Sequence, residues 1–491
     1  MPETIVIPPI PWRLLSPFLS LSLGALAVTL MAVGPLSWRR HTGWAALLAL
    51  IPPAWFTAGL ASTPPADAQT AMSGMVVMDG FALGFYALFI VTAALALLLS
   101  VPALADARHA ARGDSAEYDC LVLFATAGMM LMSSSTNLLV LFLGLEVLSL
   151  PLYVLVGFER GQERSLESSM KYFLLGAFST GFTIYGMALM YGATGTLDIT
   201  RMTETASPVL LLAGFGLTLV GFLFKIAIFP FHYWLPDVYQ GAPTSVTAFM
   251  IAGTKAAAFA SVLRLVVSSP LFWDGPMAED WTKLLTVLAA LTMTAGNVVA
   301  LVQNDVKRLL AYSSIAHAGY LLIALVARTG DGVASILFYL AAYLFMNLGA
   351  FAVVLAIDRS RGGAGEGDAL PAYAGLGRRH PVLAASMTLF MMSLIGVPLT
   401  GGFLGKFYIF KAGVDAHLYG LVAVGLLNSA LAAAYYLKVV LAMYMKEPVS
   451  EPPAVRLPLP LWFGIGISAA GVLYLGVFPA RVLEFVRTAM P

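Results

Sequence analysis

About fourteen apolar runs, each near the length of one membrane crossing, divide this sequence and settle its class before any single residue is weighed. A helix rises 1.5 Å per residue, so ~20 apolar residues cross the ~30 Å hydrocarbon core. Inside that core only helices and closed barrels satisfy every backbone N–H and C=O. On this template, spans are expected near 15–34, 44–61, 80–103, 118–134, 137–157, 168–193 and 208–232. Further spans are expected near 246–269, 283–303, 309–328, 332–357, 381–411, 417–445 and 460–479. Composition agrees: 59% of the 491 residues are hydrophobic and 11% are charged, against about 25% charged in a soluble domain. The chain reads as an all-α polytopic membrane protein. Its start, Met1 to Trp12, holds Glu3 and several prolines and lacks the basic start and cleavage site of a signal peptide. The run near Leu14–Gly34 therefore reads as a first spanning helix that is retained.

Several function classes fall away. A net charge of +1 gives no basic footprint for nucleic acid. The single cysteine, Cys120, makes no intramolecular disulfide, zinc cluster or iron–sulfur site. Six histidines leave haem open, though none forms an attachment motif. No phosphate-binding glycine motif opens a helix. The glycines from Gly362 to Gly367 lie among Arg359, Arg361, Glu366 and Asp368 and read as a polar connector. The expectation is a chain without metal or redox cofactor of its own.

An even number of spans puts both termini on one side. Loops on the opposite side would hold Arg39, Arg40, Arg108, Arg112, Arg160, Arg164, Lys307 and Arg308, followed by Arg359, Arg361, Arg378, Arg379, Lys446 and Arg456. The terminal side would hold Arg13, Arg201, Lys283, Arg328, Lys411, Arg481 and Arg487. Basic residues mark the cytoplasmic side, so both termini are expected to face away from it.

Against this background a few charges stand out. Gly221-Phe-Leu-Phe-Lys225 places a lysine deep in an apolar run, and Gly402-Phe-Leu-Gly-Lys406 repeats the pattern much later. An ammonium at a helix centre costs at least ~2.5–3.5 kcal/mol on insertion scales, so each needs a reason. Each is followed about thirty residues later by another lysine in the next span, Lys255 and Lys438 respectively. Helix disruptors flank both, Pro230 after the first and Pro398, Gly401 and Gly402 before the second. Interrupted segments at corresponding places in two halves point to a transport site at a repeat interface. Two five-helix units fit this spacing, and five being odd, the second is inverted. The expected units are 1–110 (three N-terminal helices), 111–270 (first repeat), 271–446 (second repeat) and 447–491 (a last helix).

Glu146 lies about eight residues into an apolar run and has Lys225, two spans on, as its expected partner. Moving a carboxylate away from a buried lysine favours release of its proton, and moving it back favours uptake. Lys225, Lys255 and Lys406 read as proton carriers, with snorkelling to the interface as the plain alternative. His232 follows Lys225 by seven residues, two helical turns, and is either a relay or an interfacial histidine beside Tyr233 and Trp234. His317 sits mid-span in the second half, as a relay or as a packing residue. Lys438 stands behind Lys406, which has Phe403, Phe407 and Tyr408 nearby for cation–π contact. Glu159, Glu163, Glu167 and Lys171 flank a loop as solvated charges, and Arg264 is expected near the end of its span.

These residues carry a resemblance. The segments Leu138–Tyr153, Ser165–Gly176, Lys225–Pro243, Asn304–His317 and Gly402–Lys406 resemble the antiporter-like subunits of proton-translocating NADH:quinone oxidoreductase, respiratory complex I, over nearly the whole chain. The similarity is greatest to the subunit N (subunit 2) type. It implies fourteen helices, two inverted five-helix repeats, and discontinuous helices 7 and 12. It also implies that Glu146 is the fifth-helix glutamate, that Lys225 and Lys255 are the seventh- and eighth-helix lysines, and that Lys406 is the twelfth-helix ionisable residue. Lysine at that last place fits subunit N or L, whereas subunit M usually has glutamate. The long lateral helix of subunit L is not expected here.

The resemblance further implies a bacterial inner membrane location. Flavin, iron–sulfur clusters and quinone would be held by partner subunits. The partners would include neighbouring antiporter-like and small membrane subunits, with the lipid bilayer around them. The expected function is proton translocation through the buried line Glu146, Lys225, Lys255, His317 and Lys406, coupled to electron transfer elsewhere. The rival is a subunit of a multisubunit cation/proton antiporter.

Overall fold

The computed structural model describes residues 11–39, 41–62, 69–104, 115–363, 365, 367–447 and 457–488. Arg40, Arg108, Arg112, Glu366 and Arg456, used above for loops and orientation, lie outside the described residues, as does Glu3. Among the described residues thirteen helices are long and apolar enough to cross a membrane: α1 (Trp12–Val33), α2 (Thr42–Ser62), α3 (Gly80–Pro102), α4 (Ser115–Ser134), α5 (Leu138–Val156), α6 (Glu163–Thr194), the first half of α7 (Pro208–Ile226), α8 (Thr244–Val267), α9 (Ala278–Leu301), α10 (Val306–Val326), α11 (Gly330–Ser360), α13 (Tyr419–Met445) and α14 (Leu459–Val477). The fourteenth crossing, α12, is made of two shorter helices, Pro381–Ile395 and Gly401–Asp415. A terminal helix, α15 (Ala480–Thr488), follows. A short hairpin of β1 (Gln69–Ala71) and β2 (Val76–Met78) precedes α3.

Polar residues at the boundaries start the helices. Asn137 Oδ1 accepts from Leu139 N at 2.9 Å, and Asp305 Oδ1 accepts from Arg308 N at 2.8 Å. Each side chain satisfies a first-turn N–H that has no partner within its helix.

The two breaks are built differently. The first half of α7 stops where Ala227 turns left-handed at φ 65, and the first half of α12 stops where Gly396 does so at φ 97. Glycine adopts that conformation without the clash a Cβ brings. After the break the chain is helical again: Trp234–Gly241 forms the second half of α7. Trp234 Nε1 reaches back across the break to Phe224 O at 2.9 Å, supplying a donor to a carbonyl at the end of the first half. At the α12 break the same service is done by Lys406 Nζ, 2.9 Å from Ile395 O.

Helix pairs meet through glycine. A Cβ on Gly128 of α4 would lie 2.4 Å from Leu148 N of α5, and one on Gly296 of α9 would lie 2.6 Å from Ala316 N of α10. These are the first two helices of the two five-helix repeats, so the same close backbone contact recurs at equivalent places. Between α6 and α7, a Cβ on Gly186 would lie 2.5 Å from Gly214 O. Small residues let helix backbones touch in a membrane, where no hydrophobic force drives them together.

Arg264 stands in the last turn of α8, near the end of its span as expected, yet it is buried at 2% exposure. It donates through Nη1 and Nη2 to Asp79 at 2.6 and 2.9 Å, and to Ser133 O. One guanidinium thus ties α8 to the entrance of α3 and the end of α4.

Candidate functional site

Three lysines and a histidine occupy the interior of the bundle. Lys225, Lys255, His317 and Lys406 are 4, 1, 0 and 4% exposed, so none of the lysines snorkels to an interface. Among the described residues none of the four forms an ion pair; each is bonded to hydroxyls or carbonyls.

Lys225 stands in the last turn of the first half of α7, where helix carbonyls favour a cation. Its Nζ donates to Tyr172 Oη of α6 at 2.8 Å and lies over the rings of Tyr172 and Tyr153, 4.7 and 5.4 Å from their centroids. Trp234 stacks on Tyr172 with centroids 4.8 Å apart and closes the cage. The expected Glu146–Lys225 pair is not formed. Glu146 accepts from Thr180 Oγ1 at 2.9 Å and acts on Lys225 only through space. The reason is helix rotation: Leu143, Val147 and Leu150 of α5 face outward, and Glu146 lies beside that stripe, half-buried.

Lys255 follows a π-helical turn, Met250–Thr254, inside α8. Such turns insert one extra residue and often mark functional positions. Its Nζ donates to the carbonyl of Ser314 in α10 and to Ser314 Oγ, the latter at 2.6 Å. One turn further along α10, His317 has a hydroxyl on each ring nitrogen: Tyr339 of α11 at Nδ1, and Tyr436 of α13 at Nε2 at 3.0 Å. Tyr436 also bonds Ser313. A neutral imidazole has one donor and one acceptor nitrogen, while a hydroxyl both donates and accepts. His317 can therefore take a proton on one face and give one up on the other.

Lys406, in the second half of α12, donates to Ile395 O and to Ser429 Oγ of α13, both at 2.9 Å. Its aromatic neighbour is Tyr320 of α10, 5.0 Å from Nζ to centroid. The expected contacts with Phe403, Phe407 and Tyr408 are absent among the described residues. These rings sit on Lys406's own helix, and Phe407 is half exposed on the outer surface.

Two weaker candidates fall outside this line. Lys438 donates to Gln303 O and Asn304 Oδ1, at 2.9 and 3.0 Å, and so caps the polar turn between α9 and α10. Its spacing copies that of Lys255, but its depth does not. His232 is not two turns along one helix from Lys225, because Ala227 ends that helix first. It lies buried in the break, its ring against Phe229 and Tyr233.

Charges expected to be solvated are partly organised. Lys171 bonds Glu167 and Asp237, and Arg308 bonds Asp237 at 2.8 Å, which fastens the second half of α7 to α6 and α10.

With this geometry in place, comparison with known proteins is direct. A family model described as NADH:quinone oxidoreductase/Mrp antiporter, TM matches residues 135–432. NADH-quinone oxidoreductase subunit N of Trichlorobacter lovleyi is 44% identical over 489 residues, covering 97% of this chain and 96% of that one. The chain belongs to the NADH-quinone oxidoreductase subunit N family. A chain of respiratory complex I from Thermus thermophilus superposes with a TM-score of 0.80 at 35% identity, covering 96% of this chain and 100% of that one. A chain of the Mrp complex from Dietzia sp. superposes with a TM-score of 0.86 at 20% identity, covering 98% and 97%, a likeness of fold alone. The expected fourteen-helix architecture, with its inverted repeats and discontinuous helices 7 and 12, is that of this chain.

The hydroxyl shell was not legible in the sequence. Tyr172, Ser314, Tyr339 and Tyr436 hold the charged groups, yet each looks like an ordinary residue of an apolar run. One signal was available: Tyr339, Tyr343 and Asn347 recur every four residues in α11, a polar stripe on one helix face.

Proposed function

We propose that Lys225, Lys255, His317 and Lys406 carry protons through the membrane, with Glu146 setting the field at Lys225. The chain is a membrane-arm, proton-translocating subunit of NADH-quinone oxidoreductase. The observation that carries the residue assignment is the run from Lys255 through Ser314 toward His317 with its two tyrosines. A protonated Lys255 donates to Ser314, whose hydroxyl can pass a proton onward. His317 receives on one ring nitrogen as the other releases, and Lys406 takes up the charge beyond it. Intramembrane ionisable groups facing the interior of a bundle are the usual mark of such a pathway.

In this reading the chain itself carries out no redox step. Flavin, iron–sulfur clusters and quinone belong to partner subunits, and electron transfer there alters the electrostatics along the line. Partners are the neighbouring antiporter-like and small membrane subunits of a bacterial inner-membrane complex. Both termini lie on the non-cytoplasmic side, following the basic loops. The cation/proton antiporter alternative is not favoured, because the 44% identity is to subunit N while the Mrp likeness extends to fold only.

The test is Lys255→Met in the assembled complex. NADH-driven proton uptake into inverted membrane vesicles is expected to fall by about tenfold or more, a barrier change of at least ~1.4 kcal/mol. Undiminished pumping and quinone reduction, with the subunit present, would remove Lys255 from the pathway.

A further inference from the structure

A groove of about 570 Å³ opens on the outer surface between α3, α11 and α14, with α15 across one end. Small residues make much of its lining: Gly84 and Ala87 of α3, Ala341 of α11, and Ala470 and Gly471 of α14. The glycines seat their helices closely on α11. A Cβ on Gly84 would lie 2.8 Å from Leu337 Cδ2, and one on Gly471 would lie 2.5 Å from Phe345 Cγ. Ala87, Val91 and Ala470 are exposed, so the slot opens outward rather than into the core. Apart from Tyr474 its lining is apolar.

The depth of the groove decides what fits it. Along α11 the lining runs from Leu337 to Phe345, and along α14 from Ile467 to Leu475, about 12 Å of helix in each case. α14 ends just beyond, at Val477, and α15 begins at Ala480. The groove therefore starts at one membrane surface and ends near the middle of the ~30 Å core. A partner's spanning helix would lie along the whole core, whereas a slot one leaflet deep matches a lipid acyl chain. Its walls face hydrocarbon, so no hydrophobic force holds a chain there. Packing and a grip on the head must do so.

α15 supplies that grip. Val482, Phe485 and Val486 line the groove, and Arg481, four residues before Phe485, lies on the same side of the helix. Glu484 is the neighbour of Arg481 one turn on. Both are exposed, and among the described residues neither forms an ion pair, whereas Arg487 is held by Asp331 at 3.2 Å. An amphipathic helix of this kind lies at headgroup level. A guanidinium beside a carboxylate there complements both charges of a zwitterionic head, phosphate on Arg481 and ammonium on Glu484.

We propose that this groove binds a phosphatidylethanolamine molecule from the leaflet on the α15 side, with an acyl chain in the slot and its head held by Arg481 and Glu484.

The experiment reconstitutes the intact complex with phosphatidylethanolamine, or with phosphatidylglycerol, carrying a photoreactive group on the acyl chain, and maps the labelled peptides by mass spectrometry. Phosphatidylethanolamine is expected to label the groove segments of α3, α11 and α14 more strongly than any other exposed apolar face of the chain, and more strongly than phosphatidylglycerol does. Ala470→Phe fills the slot from an exposed position; groove labelling is expected to fall about tenfold or more, the scale of an overpacked contact, with labelling elsewhere unchanged. Arg481→Ala is expected to lower it about threefold, the scale of one exposed ion pair. Glu484→Gln is expected to abolish the preference for phosphatidylethanolamine. Groove labelling no stronger than that of the other apolar faces overturns the proposal, because the groove then holds ordinary annular lipid. Equal labelling by the two lipids in the parent also overturns it, as does an unlabelled groove covered by a helix of another subunit. If Ala470→Phe does not assemble, Ala87→Phe fills the same slot from α3, and the comparison of the two lipids on the parental complex decides without either variant.

Discussion

Arg264 closes a two-point ion pair on Asp79, 185 positions earlier in the chain. The pair joins the three N-terminal helices to the first repeat, and both partners are largely out of water. Burial pushes the Asp79 carboxyl up, but the charge and hydrogen bonds of Arg264 more than reverse this and hold it below its ordinary 3.8. A carboxyl lowered on folding stabilises the fold above its unfolded pKa and loses that contribution as pH falls through the folded value. The pair is therefore at full strength at neutral pH. Arg264→Met leaves the Asp79 carboxylate alone, at an expected cost of about 3–5 kcal/mol. Loss of the subunit from the complex on native gels, at lower temperature than the parent, checks this.

Asp368 behaves in the opposite sense. It lies in the loop after α11, 3.7 Å from Lys307, and burial pushes its carboxyl up to about 6 despite that lysine. An acid raised on folding stabilises the fold below its unfolded pKa and loses that contribution as pH rises through about 6. Asp368→Asn is expected to flatten the stability profile between about pH 4 and about pH 6, by about 1–3 kcal/mol. Thermal unfolding of the solubilised complex across that range measures it.

Lys438 and Lys406 make a sharp contrast. Lys438→Met removes a cap from a turn, and proton uptake is expected to stay within about twofold of the parent. Lys406→Met is expected to lower it by about tenfold or more. Equal effects in a vesicle pumping assay would contradict the depth argument.

Gly396→Ala should damage the α12 break. The residue is left-handed at φ 97, and a Cβ there would lie 3.3 Å from Lys406 Cδ. The conformation alone costs about 1–2 kcal/mol for a residue with a Cβ. A lower proton uptake with the subunit still incorporated is the expected result; unaltered uptake would show that the Lys406 stem yields freely.

The membrane spans could be read from the sequence because hydrocarbon thickness forces long apolar runs. Lys225, Lys255, His317 and Lys406 could be read because an ionisable group inside such a run is costly. Pairing was another matter. Nothing in a linear reading tells Arg264 that Asp79 is its partner, or that Glu146 bonds Thr180 rather than Lys225. The second half of α7, eight residues long, is too short to announce itself as an apolar run. The hydroxyls around His317 were hidden because a buried tyrosine is chemically silent until its neighbours are known.

The glycine contacts bear on where the molecule can yield. Where Gly128 meets α5, Gly186 meets α7 and Gly296 meets α10, backbone lies against backbone with no intervening side chains to change rotamer. Each such pair is a stiff rod, resisting shear because any slide drives main-chain atoms together. Compliance is then left to the seams between rods and to the two interrupted helices. Lys225 and Lys406 stand at those interruptions, so a charge change there acts on the softest joints of an otherwise rigid frame.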